Sequence, residues 1–216
     1  MSQKARAPSF SVDHLIESFD RGLRTLTGSH DAHRPNPAAS FAEAELDESE
    51  RRRVAGLMRV NHAGEICAQA LYEGQALTAK DSKARAALLA AAQEEQDHLV
   101  WCRQRLQELE AKPSVLDPLF FGLSFVMGAG AGMLGDRVSL GFVEATEDQV
   151  VQHLDEHLRQ LPEQDEKTRV VLEAMREDEN RHGAAALANG GAEFPAGVKY
   201  AMGFLATAMT RTTYRI

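Results

Sequence analysis

The chain has 216 residues, 44% of them hydrophobic and 26% charged, which suits one domain with a substantial core and excludes a chain disordered throughout. Its formal net charge is -8, from 24 basic against 32 acidic residues. That balance argues against a nucleic-acid partner and leaves room for acidic clusters neutralised by cations. Two cysteines, Cys67 and Cys102, sit in apolar helical surroundings and support neither a disulfide framework nor a zinc ribbon, so reduced thiols are expected. The opening MSQKARAPSFSVDHLI lacks an apolar stretch of signal-peptide length, and nowhere do about 18 apolar residues run together as a membrane span requires.

In chain order, residues 1–9 are polar, and HLIESFDRGLRTL (14–26) has helical periodicity before the turn-rich GSHDAHRPNPAAS. Residues 1–47 are expected to form an N-terminal extension with a short amphipathic helix, ahead of a main domain over 48–216. Asp47 followed by Glu50 reads as a capping box opening a long helix to about Ala79. Asp81 or Ser82 would cap the next helix, which runs to about Ala111 before Pro113 and the Asp117-Pro118 pair stop it. The stretch LFFGLSFVMGAGAGML is apolar but rich in glycine. A third long helix is predicted from about Arg137 to Gln160. Pro162 and Asp165 mark the turn into a fourth, which ends near Asn189 at Gly190-Gly191. A last amphipathic segment covers 195–212. No alternating strand pattern occurs, so the chain reads all-α.

Two helices carry the same anomaly. The apolar stripe Leu88, Ala91, Ala92, Leu99, Cys102 and Leu106 contains Glu95 and His98; the stripe Val171, Leu172, Met175, Ala185 and Ala186 contains Glu179 and His182. An unpaired buried carboxylate costs several kcal/mol, so each must be protonated, paired or bound to a metal. The preceding helices each hold an acid at a matching offset: Glu65 lies 30 residues before Glu95, and Glu147 lies 32 before Glu179. In an antiparallel hairpin such offsets place the two acids at one level, each about 15 residues or 22 Å from the turn. Between the halves, Glu95 to Glu147 is 52, about 20 more than within either hairpin, an excess that can carry the chain from one end of a bundle to the other. The glycine-rich stretch supplies this passage. The layout is a ferritin-like four-helix bundle with a long crossover between its second and third helices and extra terminal helices.

Glu from two helices and Glu-x-x-His from two others match the pattern of di-iron and di-manganese carboxylate bundles. Four glutamates also balance two divalent cations, and one imidazole per metal among oxygens suits iron or manganese better than zinc. Glu94 and Asp178 each precede one of these glutamates and are placed to accept the free ring N–H of the opposite histidine. Glu144 competes with Glu147, but Leu140, Val143, Val150, Val151 and Leu154 surround the latter. His62 and His153 read as hydrogen-bonded helix histidines, with His153 a further candidate for an outer or substrate-pocket position. Tyr72 reads as a core or cavity tyrosine, and Cys102 and Met175 as core.

LMRVNHAGEICAQALYEGQAL, EEQDH, VEATEDQV and REDENRH, at these spacings, resemble the demethoxyubiquinone hydroxylase family of ubiquinone biosynthesis in its bacterial form, over roughly residues 48–216. The resemblance implies a non-haem di-iron monooxygenase with two iron ions per chain. Its substrates would be O2 and a polyprenylated methoxy-methyl-benzoquinol, hydroxylated at its one unsubstituted ring carbon. Carried onto this sequence, Glu65 and His98 would hold one iron, Glu147 and His182 the other, and Glu95 and Glu179 would bridge both. An apolar substrate implies a peripheral protein on the cytoplasmic side of the cell membrane, through Leu119–Leu134 and the face of Val198, Ala201, Met202, Leu205 and Ala206. A second copy of the chain, or other enzymes of quinone biosynthesis, are the protein partners considered. Two other readings share parts of the pattern: a ferritin- or rubrerythrin-like iron oxidase or peroxidase, and a metal-free scaffold for quinone enzymes.

Overall fold

Acidic residues start three of the long helices where the sequence places them. The Asp47 carboxylate accepts the N–H groups of Ser49 (2.7 Å) and Glu50 (2.8 Å), and Glu50 returns its own carboxylate to the Asp47 N–H (3.0 Å). Asp81 and Asp165 accept from Ala84 and Thr168 in the same way. The computed structural model describes residues 12–29 and 31–216, so the polar opening at 1–9 lies outside the described residues. Among the described residues are seven helices and no strand: α1 (Val12–Thr27), α2 (Glu48–Thr78), α3 (Ser82–Glu108), α4 (Asp117–Met133), α5 (Asp136–Gln160), α6 (Glu166–Ala188) and α7 (Ala196–Thr213).

The two hairpins α2/α3 and α5/α6 make the four-helix bundle, and α4 is the crossover. Its side-chain meetings fix the direction: His62 faces Asp117 near the start of α4, and Thr78 bonds Ala129 O near its end, so α4 runs parallel to α2. A helix of 17 residues covers about 25 Å. At the far end the Asp136 carboxylate accepts the N–H groups of Lys80 (2.9 Å) and Asp81 (2.8 Å), tying the α2/α3 turn to the start of α5. Pro118, expected as a stop signal, instead occupies the first turn of α4, where its missing N–H costs nothing. The preceding helix ends earlier than expected, at Glu108, and Glu110 takes a left-handed conformation (φ 56°).

The glycines of the crossover meet α2 backbone to backbone. A Cβ on Gly74 would collide with the Phe125 carbonyl oxygen and the Ala129 nitrogen, and one on Gly128 with the Leu71 carbonyl. Side chains on this face of α4 are therefore small, while Leu119, Leu123, Val126 and Met127 point outward and are exposed. Val198, Phe204 and Leu205 of α7 and Ile16, Phe19 and Leu23 of α1 are exposed as well. None of the described helices is long and apolar enough to cross a membrane.

Two apolar clusters fill the bundle. One gathers Val54, Leu57, Met58, Trp101, Cys102, Leu106, Leu154, Leu172 and Met175, with Cys102 Sγ 3.8 Å from Met175 Sδ. The other gathers Ala68, Tyr72, Ala76, Leu88, Ala92, Leu140, Val143 and Ala186. The buried Arg105 guanidinium closes the first end, bonded to Thr168 (2.8 Å), Asp165 (3.1 Å), Glu108 (2.8 Å) and Glu43 (2.7 Å). At the other side of α2, Glu73 accepts from Ser18 and Arg21, which pins α1 to the bundle.

Candidate metal centre

Charged side chains occupy the bundle interior among these apolar residues. Glu65 comes from α2, Glu95 and His98 from α3, Glu147 from α5, and Glu179 and His182 from α6, and none is more than 7% exposed. Their donor atoms form two groups, Glu65, Glu95, His98 and Glu179 in one and Glu95, Glu147, Glu179 and His182 in the other, each within 4.8 Å of one another. Glu95 and Glu179 belong to both. All six residues singled out from the sequence are thus brought together, and Glu144 is not: its carboxylate pairs with Lys199 at 2.7 Å.

Both histidines turn the same ring nitrogen inward. His98 Nδ1 lies 2.9 Å from Glu95, 3.1 Å from Glu179 and 3.7 Å from Glu65. His182 Nδ1 lies 2.8 Å from Glu95 and 3.3 Å from Glu179. The outward nitrogens meet carboxylates of the opposite hairpin's motif: His98 Nε2 faces Asp178 at 2.9 Å, and His182 Nε2 faces Glu94 at 3.3 Å. A carboxylate on Nε2 fixes the tautomer that leaves the Nδ1 lone pair free for a cation.

The electrostatics are those of several buried carboxylates in one another's field. Burial, reinforced by the neighbouring glutamates, pushes Glu65 and Glu147 well above the ordinary carboxylate range. Burial acts against the charge of His98 and His182, yet the surrounding carboxylates raise both, His182 to about 11. Burial likewise opposes the charge of Glu95, but the two histidines draw it below its usual range. Protons are the small cations that answer this charge, and a metal would displace them. Two further observations fit a metal: Glu65 Oε2 and Glu95 Oε1 are buried without a properly directed hydrogen bond, and four carboxylates with two imidazoles form an oxygen-rich set that balances two divalent ions.

Around this cluster lie further polar residues. Tyr72, seven residues after Glu65 and so on the same face of α2, donates its hydroxyl to Glu147 Oε1. A small cleft bordered by Leu71, Tyr72, Phe142, Val143 and Thr146 reaches Glu147. His153 stacks on His157 at 6.3 Å between ring centroids and is not among the two donor groups. His62, expected to be hydrogen-bonded, has neither ring nitrogen in a directed bond, although Nδ1 lies 3.2 Å from Asp117; both are enclosed where α4 crosses α2. Arg34, from the extension, carries no sequence signal that links it to this site. Its guanidinium bonds Asp97 (2.8 Å) and Asp178 (2.7 Å).

The family model described as ubiquinone biosynthesis protein COQ7 matches residues 52–213. Among similar proteins, one from Ectopseudomonas mendocina (strain ymp) is 59% identical over 206 residues, covering 95% of this chain and 96% of its own. One from Azotobacter vinelandii is 56% identical over 207 residues, covering 95% and 96%. One from Stutzerimonas stutzeri is 56% identical over 216 residues, covering 100% and 99%. Each is named 3-demethoxyubiquinol 3-hydroxylase.

Proposed function

The chain belongs to the COQ7 family of ubiquinone biosynthesis proteins, and from that premise we propose that it hydroxylates a demethoxyubiquinol with O2 at a centre of two iron ions. The observation that carries the reading is the convergence of two carboxylate–histidine groups that share Glu95 and Glu179. Glu65 and His98 would hold one iron, Glu147 and His182 the other, and the two shared glutamates would reach both. Bound there, the iron pair supplies the reduction of dioxygen. In the overall reaction one oxygen atom enters the ring and the other leaves as water, with two electrons and two protons from a reductant.

The protein's own groups prepare that chemistry. Asp178 and Glu94 hold the imidazoles with Nδ1 inward. Tyr72 donates its hydroxyl proton to Glu147 Oε1 beside the cleft, where the phenol oxygen keeps a lone pair that can accept from a hydroxyl of an aromatic substrate. The two apolar clusters shield the site from bulk water. Exposed apolar residues of α1, α4 and α7 supply the peripheral contact with the cytoplasmic face of the cell membrane that a polyprenylated substrate demands. Storage of iron and peroxidase activity would use the same donors, but the names of relatives matched along nearly their whole length favour the hydroxylase.

The test is to supply iron-loaded protein with a demethoxyubiquinol, a reductant and labelled dioxygen, and to follow the quinone by mass spectrometry beside Glu95→Ala. One labelled oxygen in the product, absent with the variant, is the expected result. Iron uptake with an unmodified quinone would overturn the assignment of substrate and leave the two-metal site standing.

A further inference from the structure

The extension ahead of α2 does more than cover the bundle. After α1 the chain crosses the outer side of α3, where the His33 N–H donates to Asp97 (2.6 Å) and Asn36 Nδ2 donates to Gln104 (2.7 Å). Between these tethers Arg34 lies over the Trp101 ring, 5.0 Å from its centroid, and forks between two buried carboxylates. Its Nε bonds Asp97 of α3, and its Nη2 bonds Oδ2 of Asp178 of α6. That same Oδ2 atom faces His98 Nε2. The other oxygen of Asp178, Oδ1, is taken by Arg181 Nη1 at 2.7 Å, so the carboxylate cannot rotate without breaking a charged bond.

The second histidine is treated differently. Glu94, the acceptor for His182, pairs with Arg181 but with none of the described residues of the extension, and is exposed by more than a third. Arg181 thus spans both outer carboxylates, whereas Arg34 serves one. We propose that Arg34 is a positioning residue for the His98 half of the metal centre, which makes the two metal positions inequivalent. The inference rests on the two-metal reading above. By fixing Asp178, Arg34 fixes the ring plane of His98 and the aim of its Nδ1. Glu94 shares its Oε2 between Arg181 and His182 Nε2 (3.3 Å), whereas Asp178 is held through both oxygens by two guanidinia and faces His98 Nε2 at 2.9 Å, so the His98 side is the more firmly aimed of the two.

The test is stepwise Co2+ titration of the metal-free full-length protein, followed by visible absorption under anaerobic conditions, with melting temperature recorded alongside. Arg34→Gln is expected to weaken one of the two affinities about 10- to 100-fold and to shift the bands of that ion alone. Arg34→Lys, which returns the charge without the planar fork, should recover part of the loss. Asn36→Ala removes a neighbouring tether of the same segment and should leave both affinities as they are. Unchanged affinities in Arg34→Gln, an equal weakening of both ions, or a matching loss in Asn36→Ala would overturn the inference and make the segment a simple strap. A wild-type chain that takes up no Co2+ and no Mn2+ would instead refute the two-metal reading, and Arg34's role with it.

Discussion

Replacing Glu95 should cost the protein more than replacing Glu65, although both are buried glutamates a few ångströms apart. Glu95 belongs to both donor groups and Glu65 to one. An ion that binds only the folded chain stabilises it by about 2.7 kcal/mol at a hundredfold excess over its dissociation constant, so two such sites give about 5 kcal/mol. For a chain of this size each kcal/mol moves the melting temperature by about 2–4 °C, which puts the full effect of Mn2+ at roughly 10–20 °C. Glu95→Gln should abolish that rise. Glu65→Gln should keep roughly half of it, about 5–10 °C, since the group around His182 stays intact. Because burial already holds the Glu65 carboxyl to its proton, the amide should change the metal-free melting temperature little. The assay is a circular dichroism melt with and without Mn2+, paired with metal analysis of the desalted protein. Equal losses in the two variants, or two ions retained by Glu95→Gln, would refute the shared-ligand geometry.

The remaining expectations concern the scaffold and its surface. Burial, with His153 alongside, pushes His157 down to about 4, and its Nδ1 donates to Asn61 at 2.8 Å. Its folded value lies below the unfolded one of about 6.5, so the neutral ring stabilises fully above that pH, and the benefit fades as pH falls toward the folded value. Urea titrations from neutral to acidic pH should lose up to roughly 3 kcal/mol that His157→Gln no longer loses; identical slopes in both proteins would contradict this. Arg105→Met should destabilise by about 3–5 kcal/mol in equilibrium unfolding, because it leaves Asp165 buried without its cation. Gly74→Ala should cost about 1–3 kcal/mol by forcing α2 from α4, while Gly130→Ala, with open space at its Cβ, should be neutral or slightly stabilising. Val126→Glu with Phe204→Glu should reduce co-sedimentation with anionic vesicles without lowering the melting temperature; unchanged sedimentation would remove the membrane contact assigned to α4 and α7.

The bundle was legible in the sequence because helix caps and helix spacing are local. Asp47, Asp81 and Asp165 cap where their side-chain chemistry says they should. The convergence of six donors followed from nearly equal offsets, 30 and 32, along antiparallel hairpins. Tyr72 carried a usable signal, the interval of seven from Glu65, although nothing in that interval says its hydroxyl meets Glu147 rather than water. Arg34 carried none: it lies in an irregular segment and reaches Asp97 and Asp178 across 63 and 144 positions, with no period to constrain it. His62 failed for the opposite reason. Its place on α2 was plain, but whether a buried ring finds a partner depends on how α4 lies across it, which the glycines at Gly74 and Gly128 decide.

The ownership of the two donor groups has a kinetic consequence. Each takes three residues from one hairpin and one from the other: Glu179 completes the group of α2/α3, and Glu95 completes that of α5/α6. Each hairpin can form early from contacts close in sequence, so their docking, which must push four carboxylates into one another's field, is expected to be the slow event in refolding. Divalent ions present during refolding should therefore speed this last association and leave hairpin formation untouched. During synthesis, Glu65, Glu95 and His98 leave the ribosome well before Glu179 exists. The first hairpin alone would offer an ion only three of the four donors in its group, and firm capture would wait until α6 has been made and seated.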